Sequence, residues 1–248
     1  MRIRASAALA LAGFLLNGTA AMSAEINLHA SAAIDAALKE LLPRFEASTG
    51  HSIRSKLGIA SNLRRDIEAG AAFDVCILVG DLEALARDGR IAAGTQTALG
   101  RSGYGLGVRQ GAPKPSIATA EAFKRVMLGA ASVGYTEGGG SGAYFVGLLG
   151  RLGIADAMKD RLRPGEGTQA DVASGKIEMV VTGIVPILRS PGIELAAPLP
   201  PELQSYSTFW IGVAGASREP AAARALRDFL AGPEAAATFR KHGVEPAR

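Results

Sequence analysis

The chain has 248 residues, of which 48% are hydrophobic, 20% charged and 5% aromatic, a composition that excludes a disordered protein. Its length suits one large domain or two modest lobes. One cysteine cannot form an internal disulfide or a cysteine-based zinc cage, and only His29, His51 and His242 are available for histidine chemistry. The composition therefore argues against a metalloenzyme or a histidine-dependent hydrolase and favours a binding protein.

The first element is a predicted signal peptide over residues 1–24. Arg2 and Arg4 form a positive start, and the apolar run Ala7–Leu16 is too short to span a bilayer. Removing this leader lowers the formal net charge from +4 to +2, and the remaining basic residues are scattered among acids, so no nucleic-acid partner is expected. We expect export to the periplasm, with an uncleaved anchor as the alternative. The cleavage position stays open between Ala21, Ser23 and Ala24.

Strand-like and helix-like runs then alternate, which is typical of an α/β fold with largely parallel sheets. In the first unit Ile26–Ala30 alternates as a strand, Ser31 can cap a helix, and apolar residues recur at helical spacing until Gly50. Cys76 lies in an apolar strand-like run, which predicts an inert core thiol. The other predicted elements of this half are a strand Ser52–Leu57, a helix Leu63–Ala69 capped by Ser61 or Asn62, a strand Asp74–Val79, a helix Asp81–Arg87 and a strand Tyr104–Val108.

The second half continues the alternation up to the C-terminus. Its predicted elements are a helix capped by Thr119, a strand Val133–Thr136, a loop over residues 138–142, helices Ala143–Leu152 and Thr168–Ser174, strands Met179–Ile184, Ile193–Ala197 and Ser207–Val213, and helices Ala221–Leu230 and Ala235–Lys241. The runs Tyr104–Val108 and Ser207–Val213 are places where the chain could pass between two sheets. The pattern permits two lobes joined by two crossover strands, with residues 25–103 plus 207–248 as lobe I and residues 104–206 as lobe II.

Four junctions place a strand, a small-residue loop and a helix start in succession. Unpaired backbone N–H groups at a helix start carry partial positive charge, and small residues let a ligand approach them. The hydroxyls of Ser31, Ser61, Ser141 and Thr168 add neutral donors that suit an oxyanion, although each could equally be an ordinary helix cap. The four junctions are Ala30–Ala33, Gly58–Asn62, Gly138–Ala143 and Gly165–Thr168.

Motifs for other chemistry are weak or missing. Residues Gly138–Ala143 fit the relaxed dinucleotide fingerprint, but no acidic residue ends a second strand about twenty positions later. The G-x-S-x-G turn of a serine hydrolase is absent, and the acid pairs fall on polar helix faces, as do the arginines Arg64 and Arg65. We therefore expect no cofactor, no metal-cation site and no catalytic residue.

Several segments resemble the molybdate-binding periplasmic component of ABC transporters, and the resemblance extends over residues 25–245. They are Ile26–Ala32, Ser61–Gly70 followed by Phe73–Val75, Ser141–Tyr144, and Arg218–Leu230. The resemblance implies a two-lobed type II periplasmic binding fold, in which each lobe is a mixed sheet flanked by helices. It further implies that the cleft between the lobes holds molybdate, tungstate or a related oxyanion through serine hydroxyls and backbone amides.

The resemblance also implies particular site residues. Ser61 matches the family's second ligand serine, and Val79 and Ser141 match positions that contribute backbone amides. Ala33 stands where the first ligand serine is expected, with Ser31 two residues earlier, and Gly183 stands where the site tyrosine is expected. These departures indicate a divergent branch of the family.

The sequence thus predicts a monomeric, non-enzymatic, periplasmic solute-binding protein of an ABC transporter. It would capture a small anion, with molybdate or tungstate favoured, and deliver it to a membrane permease. Two alternatives stay open: a protein that presents another small anionic or organic solute to a sensory receptor, and an exported hydrolase.

Overall fold

The computed structural model describes residues 23–137 and 140–247. Nearly all of the predicted signal peptide, and Gly138 and Gly139 of the predicted loop, lie outside these residues. The described strands are β1 (Glu25–Ser31), β2 (Ser52–Gly58), β3 (Val75–Val79), β4 (Thr97–Arg109), β5 (Val133–Tyr135), β6 (Leu162–Pro164), β7 (Met179–Gly183), β8 (Ile193–Pro198) and β9 (Tyr206–Val213). The described α-helices are α1 (Asp35–Thr49), α2 (Ala60–Glu68), α3 (Glu83–Arg87), α4 (Ala120–Gly129), α5 (Gly140–Arg151), α6 (Ala155–Met158), α7 (Thr168–Ala173), α8 (Ile184–Arg189), α9 (Pro220–Ala231) and α10 (Pro233–Lys241).

The strands lie in the order β2-β1-β3-β9-β4-β7-β5-β6, with β8 paired to β4. Pairs formed around β1 and β5 are parallel, whereas β9 and β4 pair antiparallel with their neighbours. Helices pack against these strands. When strands and helices alternate along a chain, the helices cover both faces of the sheet and bury them. The predicted mixed α/β architecture is confirmed.

The long strand β4 connects two parts of the sheet. It pairs with β9 up to Gly103, which faces Tyr206, and with β7 from Tyr104 onward, which faces Gly183. We call β2-β1-β3-β9 and the first half of β4 the first sheet, and the second half of β4 with β7, β8, β5 and β6 the second sheet. The chain returns through residues 199–205 to β9, which pairs within the first sheet. The chain therefore returns from the second sheet to the first in residues 199–205, before β9 begins.

Each sheet has its own apolar core. Helices α1, α9 and α10 cover one face of the first sheet, where Leu28, Phe45 and Phe239 are buried, and α4 and α5 cover the second, where Phe123 and Phe145 are buried. A smaller cluster beneath α2 and α3 on the first sheet encloses the thiol of the single cysteine, as predicted. Among the described residues, no helix is long and apolar enough to cross a membrane.

The largest errors of the sequence prediction concern short elements. Strand β6 is only three residues long and ends in Pro164, so it shows no alternation. Helix α8 was not predicted because its first residue, Ile184, continues the apolar run of β7 and Pro186 follows soon after. Helix α5 begins at Gly140, within the predicted loop.

Candidate functional site

A cavity of about 630 Å³ lies between the two sheets, beside the crossing strand β4. Its wall combines the ends of β1 and β3, the beginning of β9, the middle of β4 and the helix starts that follow β1 and β2. From the second sheet it receives the end of β7 and the starts of α5 and α8. The topology thus brings strand–helix junctions from distant parts of the chain to one place.

Five of the six residues singled out from the sequence line this cavity. They are Ser31, Ala33, Ser61, Val79 and Ser141. The side chain of Ser31 is only 4% exposed, and its Oγ accepts a 3.4 Å hydrogen bond from the backbone N–H of Ala33. This bond caps the short 3-10 helix over residues 32–34, so the predicted capping role of Ser31 is confirmed.

Ser61 and Ser141 both lie in the first turn of a helix that points its N-terminus at the cavity. Helix α2 begins at Ala60, three residues before the predicted start at Leu63, and Ile59 precedes it without a side-chain cap. The capping prediction for Ser61 or Asn62 was therefore wrong, because Ser61 is itself helical. In α5, the Oγ of Ser141 lies 3.4 Å from the Oγ1 of Thr182, at the end of β7.

The sixth residue singled out from the sequence, Thr168, does not line the cavity, which corrects that prediction. Thr168 is 3% exposed and packs against Gly134 of β5. A Cβ added at Gly134 would lie 3.0 Å from the Cβ of Thr168. Helix α7 begins after Gly167, whose φ of 79° sets the entry angle of the helix. That geometry turns Thr168 toward the second sheet and places Gln169 on the cavity wall instead.

Arg64 lines the cavity although its sequence context predicted a solvated helix face. It lies three positions after Ser61 in α2, so both residues share a helix face, and this spacing was the available signal. Its Nη2 donates a 2.6 Å hydrogen bond to the backbone carbonyl of Asp81, just beyond β3. In the described part of the chain, Arg64 is the charged residue of the lining; the other members are neutral.

Three further hydroxyls line the cavity from the crossing strand β4 and its partner β9, and sequence reasoning missed them. They are carried by Ser102 and Tyr104 of β4 and by Ser207 of β9. The Oη of Tyr104 lies 3.4 Å from the Oγ of Ser207. The runs containing Tyr104 and Ser207 were predicted as crossing points, but their hydroxyls carried no recognisable motif.

Arg189, at the end of α8, joins the second sheet to the helix start after β1. Its guanidinium donates to the carbonyl oxygens of Ala32 and Ala33 and lies 3.6 Å from the Oδ2 of Asp35. These hydrogen bonds hold the carbonyl oxygens of Ala32 and Ala33 toward α8. An element absent from the sequence prediction therefore fixes one wall of the cavity.

The described residues contain no cluster of three or more His, Cys, Asp or Glu side chains that could hold a metal ion. His29, in β1, is buried outside the cavity lining and stacks on Phe73 at a centroid distance of 5.7 Å. Burial lowers the pKa of its imidazole, and the nearby Lys56 ammonium lowers it further. The geometry supports a neutral structural histidine at this position.

A cleft between two linked sheets, with one cation among neutral donors, defines a receptor for a small solute. The chain belongs to the bacterial extracellular solute-binding protein family, whose profile matches residues 26–245. The resemblance to molybdate-binding components of ABC transporters is confirmed by similarity to the molybdate-binding protein ModA of Escherichia coli strain K12. That relative is 26% identical over 98% of this chain and 96% of its own length.

Two further comparisons bear on fold and ligand. An aconitate isomerase from a Pseudomonas species is 30% identical, over 96% of this chain and 95% of its own length. The periplasmic molybdate-binding protein of Azotobacter vinelandii superposes with a TM-score of 0.71 at 16% identity, over 90% of this chain and 100% of that protein. This superposition confirms the predicted type II periplasmic binding fold.

Proposed function

We propose that the chain captures a small anion in the cavity between its two sheets and delivers it to the membrane permease of an ABC transporter. The observation that carries this proposal is the pairing of Arg64 with hydroxyls and backbone amides at helix starts on one cavity wall. A guanidinium and helix N-termini both favour negative charge, and hydroxyls add hydrogen bonds without a further counter-charge. Closure of the predicted lobes over this wall would remove the anion from water.

A tetrahedral oxyanion such as molybdate or tungstate is the first candidate. It is supported by the family resemblance and by the relative named as molybdate-binding. Ser31, Ser61 and Ser141 offer hydroxyls to such an anion, and the end of β3 at Val79 offers backbone. Ala33 and Gly183 offer no side-chain donor at the two positions where the resemblance expects a serine and a tyrosine.

A small organic carboxylate is the second candidate. It is supported by the relative named aconitate isomerase, and by the apolar side chains of Ile59, Val185 and Phe209 in the lining, which would cover a carbon skeleton. We propose that such a ligand is bound and not converted, because the family is one of solute-binding proteins and the predicted site works through hydrogen bonds alone.

Isothermal titration of the mature chain with molybdate, tungstate, sulfate, phosphate, cis-aconitate and trans-aconitate tests the proposal. We expect at least one anion to bind, and Arg64→Ala to weaken that binding about tenfold or more, because a charged hydrogen bond contributes about 1.5–3 kcal/mol. Arg65→Ala is the matched control, since Arg65 is exposed and outside the cavity lining. Binding of none of these anions, or equal affinity of both variants, would refute the anion site.

The aconitates also test the absence of catalysis. Proton NMR of cis-aconitate incubated with the protein should show no trans isomer above the buffer control, and protein-dependent isomerisation would overturn the binder assignment. Location and assembly need separate measurements. Periplasmic fractionation with intact-mass analysis should yield a chain cleaved after Ala21, Ser23 or Ala24, size-exclusion chromatography should show a monomer, and the chain should co-purify with its permease.

A further inference from the structure

The crossing strand β4 and its partner β9 present three hydroxyls on one side of the sheet. Ser102 and Ser207 are directly opposite each other in the antiparallel ladder of β4 and β9, so their side chains point to the same face. Tyr104 lies two residues after Ser102 and shares that face. All three line the cavity, and we call them the crossing-strand hydroxyls.

Ser102 has the feature expected of a group that receives a ligand. It is 6% exposed, and its Oγ has no hydrogen-bond partner among the described residues. Buried hydroxyls are nearly always hydrogen-bonded, because leaving one unpaired is costly. The facing Ser207 places its own hydroxyl near Tyr104 instead. A hydrogen-bond partner for the Oγ of Ser102 can therefore come from the cavity.

The crossing-strand hydroxyls lie far from the helix start after β1. Ser31 ends β1, and the strand order places β3 and β9 between β1 and β4. Three neighbouring-strand spacings of about 4.8 Å lie between β1 and β4, and the register places Ser207 and Ser102 about three residues further along the strands than the row of Ser31, so Ser31 and Ser102 are roughly 17 Å apart along the sheet. A single tetrahedral oxyanion bound to Ser31 does not span that distance, even after both side chains and their hydrogen bonds are included.

The surface between these two polar ends is apolar. Val79 and Phe209 are register partners on β3 and β9, and both line the cavity. Val185, at the start of α8, adds a third apolar side chain. From β1 to β4 the cavity wall is therefore polar, then apolar, then polar again. This order suits a ligand with a carbon chain and an oxygen-bearing group at each end.

We propose that the crossing-strand hydroxyls form a second subsite and that the solute is a small dicarboxylate or tricarboxylate. One carboxylate binds at the helix starts beside Arg64, the carbon chain lies on Val79 and Phe209, and a second carboxylate accepts hydrogen bonds from Ser102 and Ser207. This assignment rests on the proposed anion-binding function and narrows its ligand class.

Calorimetric titration with ligand pairs that differ by one carboxylate tests the subsite. Succinate is compared with butyrate, glutarate with valerate, and trans-aconitate and molybdate are titrated alongside. We expect the wild type to bind the two-ended member of a pair at least tenfold more tightly than the one-ended member. Ser102→Ala should reduce this ratio to under threefold while leaving the affinity for the one-ended member unchanged. Ser174→Ala, an exposed change outside the cavity, should leave the ratio intact.

A melting experiment without ligand separates a binding role from a structural one. Because Ser102 makes no hydrogen bond in the described structure, Ser102→Ala should leave the melting temperature unchanged or raise it, whereas a structural serine would lower it on truncation. Ser207→Ala provides a second variant if the first fails to fold. An unchanged pair ratio in the variants, or binding of molybdate without any two-ended anion, overturns the subsite but leaves anion capture standing. Binding of no anion at all overturns both.

Discussion

Helix α5 should tolerate alanine at Gly150 but not at Gly142, and the difference measures how tightly its start is held at the cavity. A Cβ at Gly142 would overlap the backbone carbonyl oxygen of Thr136 and would lie 3.1 Å from Cδ2 of Tyr135. A backbone oxygen cannot rotate away, so the helix start would have to move by on the order of 1 Å to restore normal contact.

The expected cost follows from that overlap. Overpacking costs about 1–3 kcal/mol, and a backbone neighbour places Gly142→Ala near about 3 kcal/mol. For a chain of this size, the melting temperature should fall by roughly 6–12 °C. The movement would also shift Ser141 on the cavity wall, which should weaken the bound anion about fivefold, the equivalent of one hydrogen bond of about 1 kcal/mol.

Gly150→Ala supplies the matched control in the same helix. Nothing lies within 4 Å of a Cβ at this position in the last turn of α5, and replacing a helical glycine by alanine stabilises by up to about 0.5–1 kcal/mol. The melting temperature should rise by roughly 1–4 °C with unchanged affinity. Differential scanning fluorimetry and calorimetric titration measure both variants. A melting temperature for Gly142→Ala within 1 °C of wild type would refute the close approach of α5 to Thr136.

Three further outcomes are expected. Thr119→Ala removes the side-chain cap of α4 and should lower the melting temperature by roughly 2–4 °C, for a loss of about 1 kcal/mol. Burial alone would raise the pKa of Asp74, but donors from Asn27 and Ser217 hold it below its usual value. Asp74 therefore stabilises the fold above its unfolded pKa and loses this effect as pH falls through its folded pKa, so Asp74→Asn should flatten the decline seen in urea melts from about pH 5 downward. Burial raises the pKa of the Cys76 thiol to about 12, so a thiol reagent should label it only in urea, and labelling of the native protein would contradict this packing.

Local sequence patterns determined most helices and strands of this protein. Helix α1 ends at Gly50, where a φ of 74° suits glycine, and α4 begins at the predicted cap Thr119. Periodicity and capping depend on residues a few positions apart, which is why sequence alone exposes them. The same locality placed Ser31 and Ser141 at strand–helix junctions that do reach the cavity.

The membership of the cavity wall was decided only by the tertiary structure. Ser102 and Ser207 are more than a hundred residues apart, and only the register of β4 against β9 places them face to face. Arg64 reaches the cavity because α2 packs beside the end of β3, whereas Thr168 turns away because Gly167 sets the direction of α7. Strand order and register arise from the burial of whole faces against distant segments, and no local pattern encodes them.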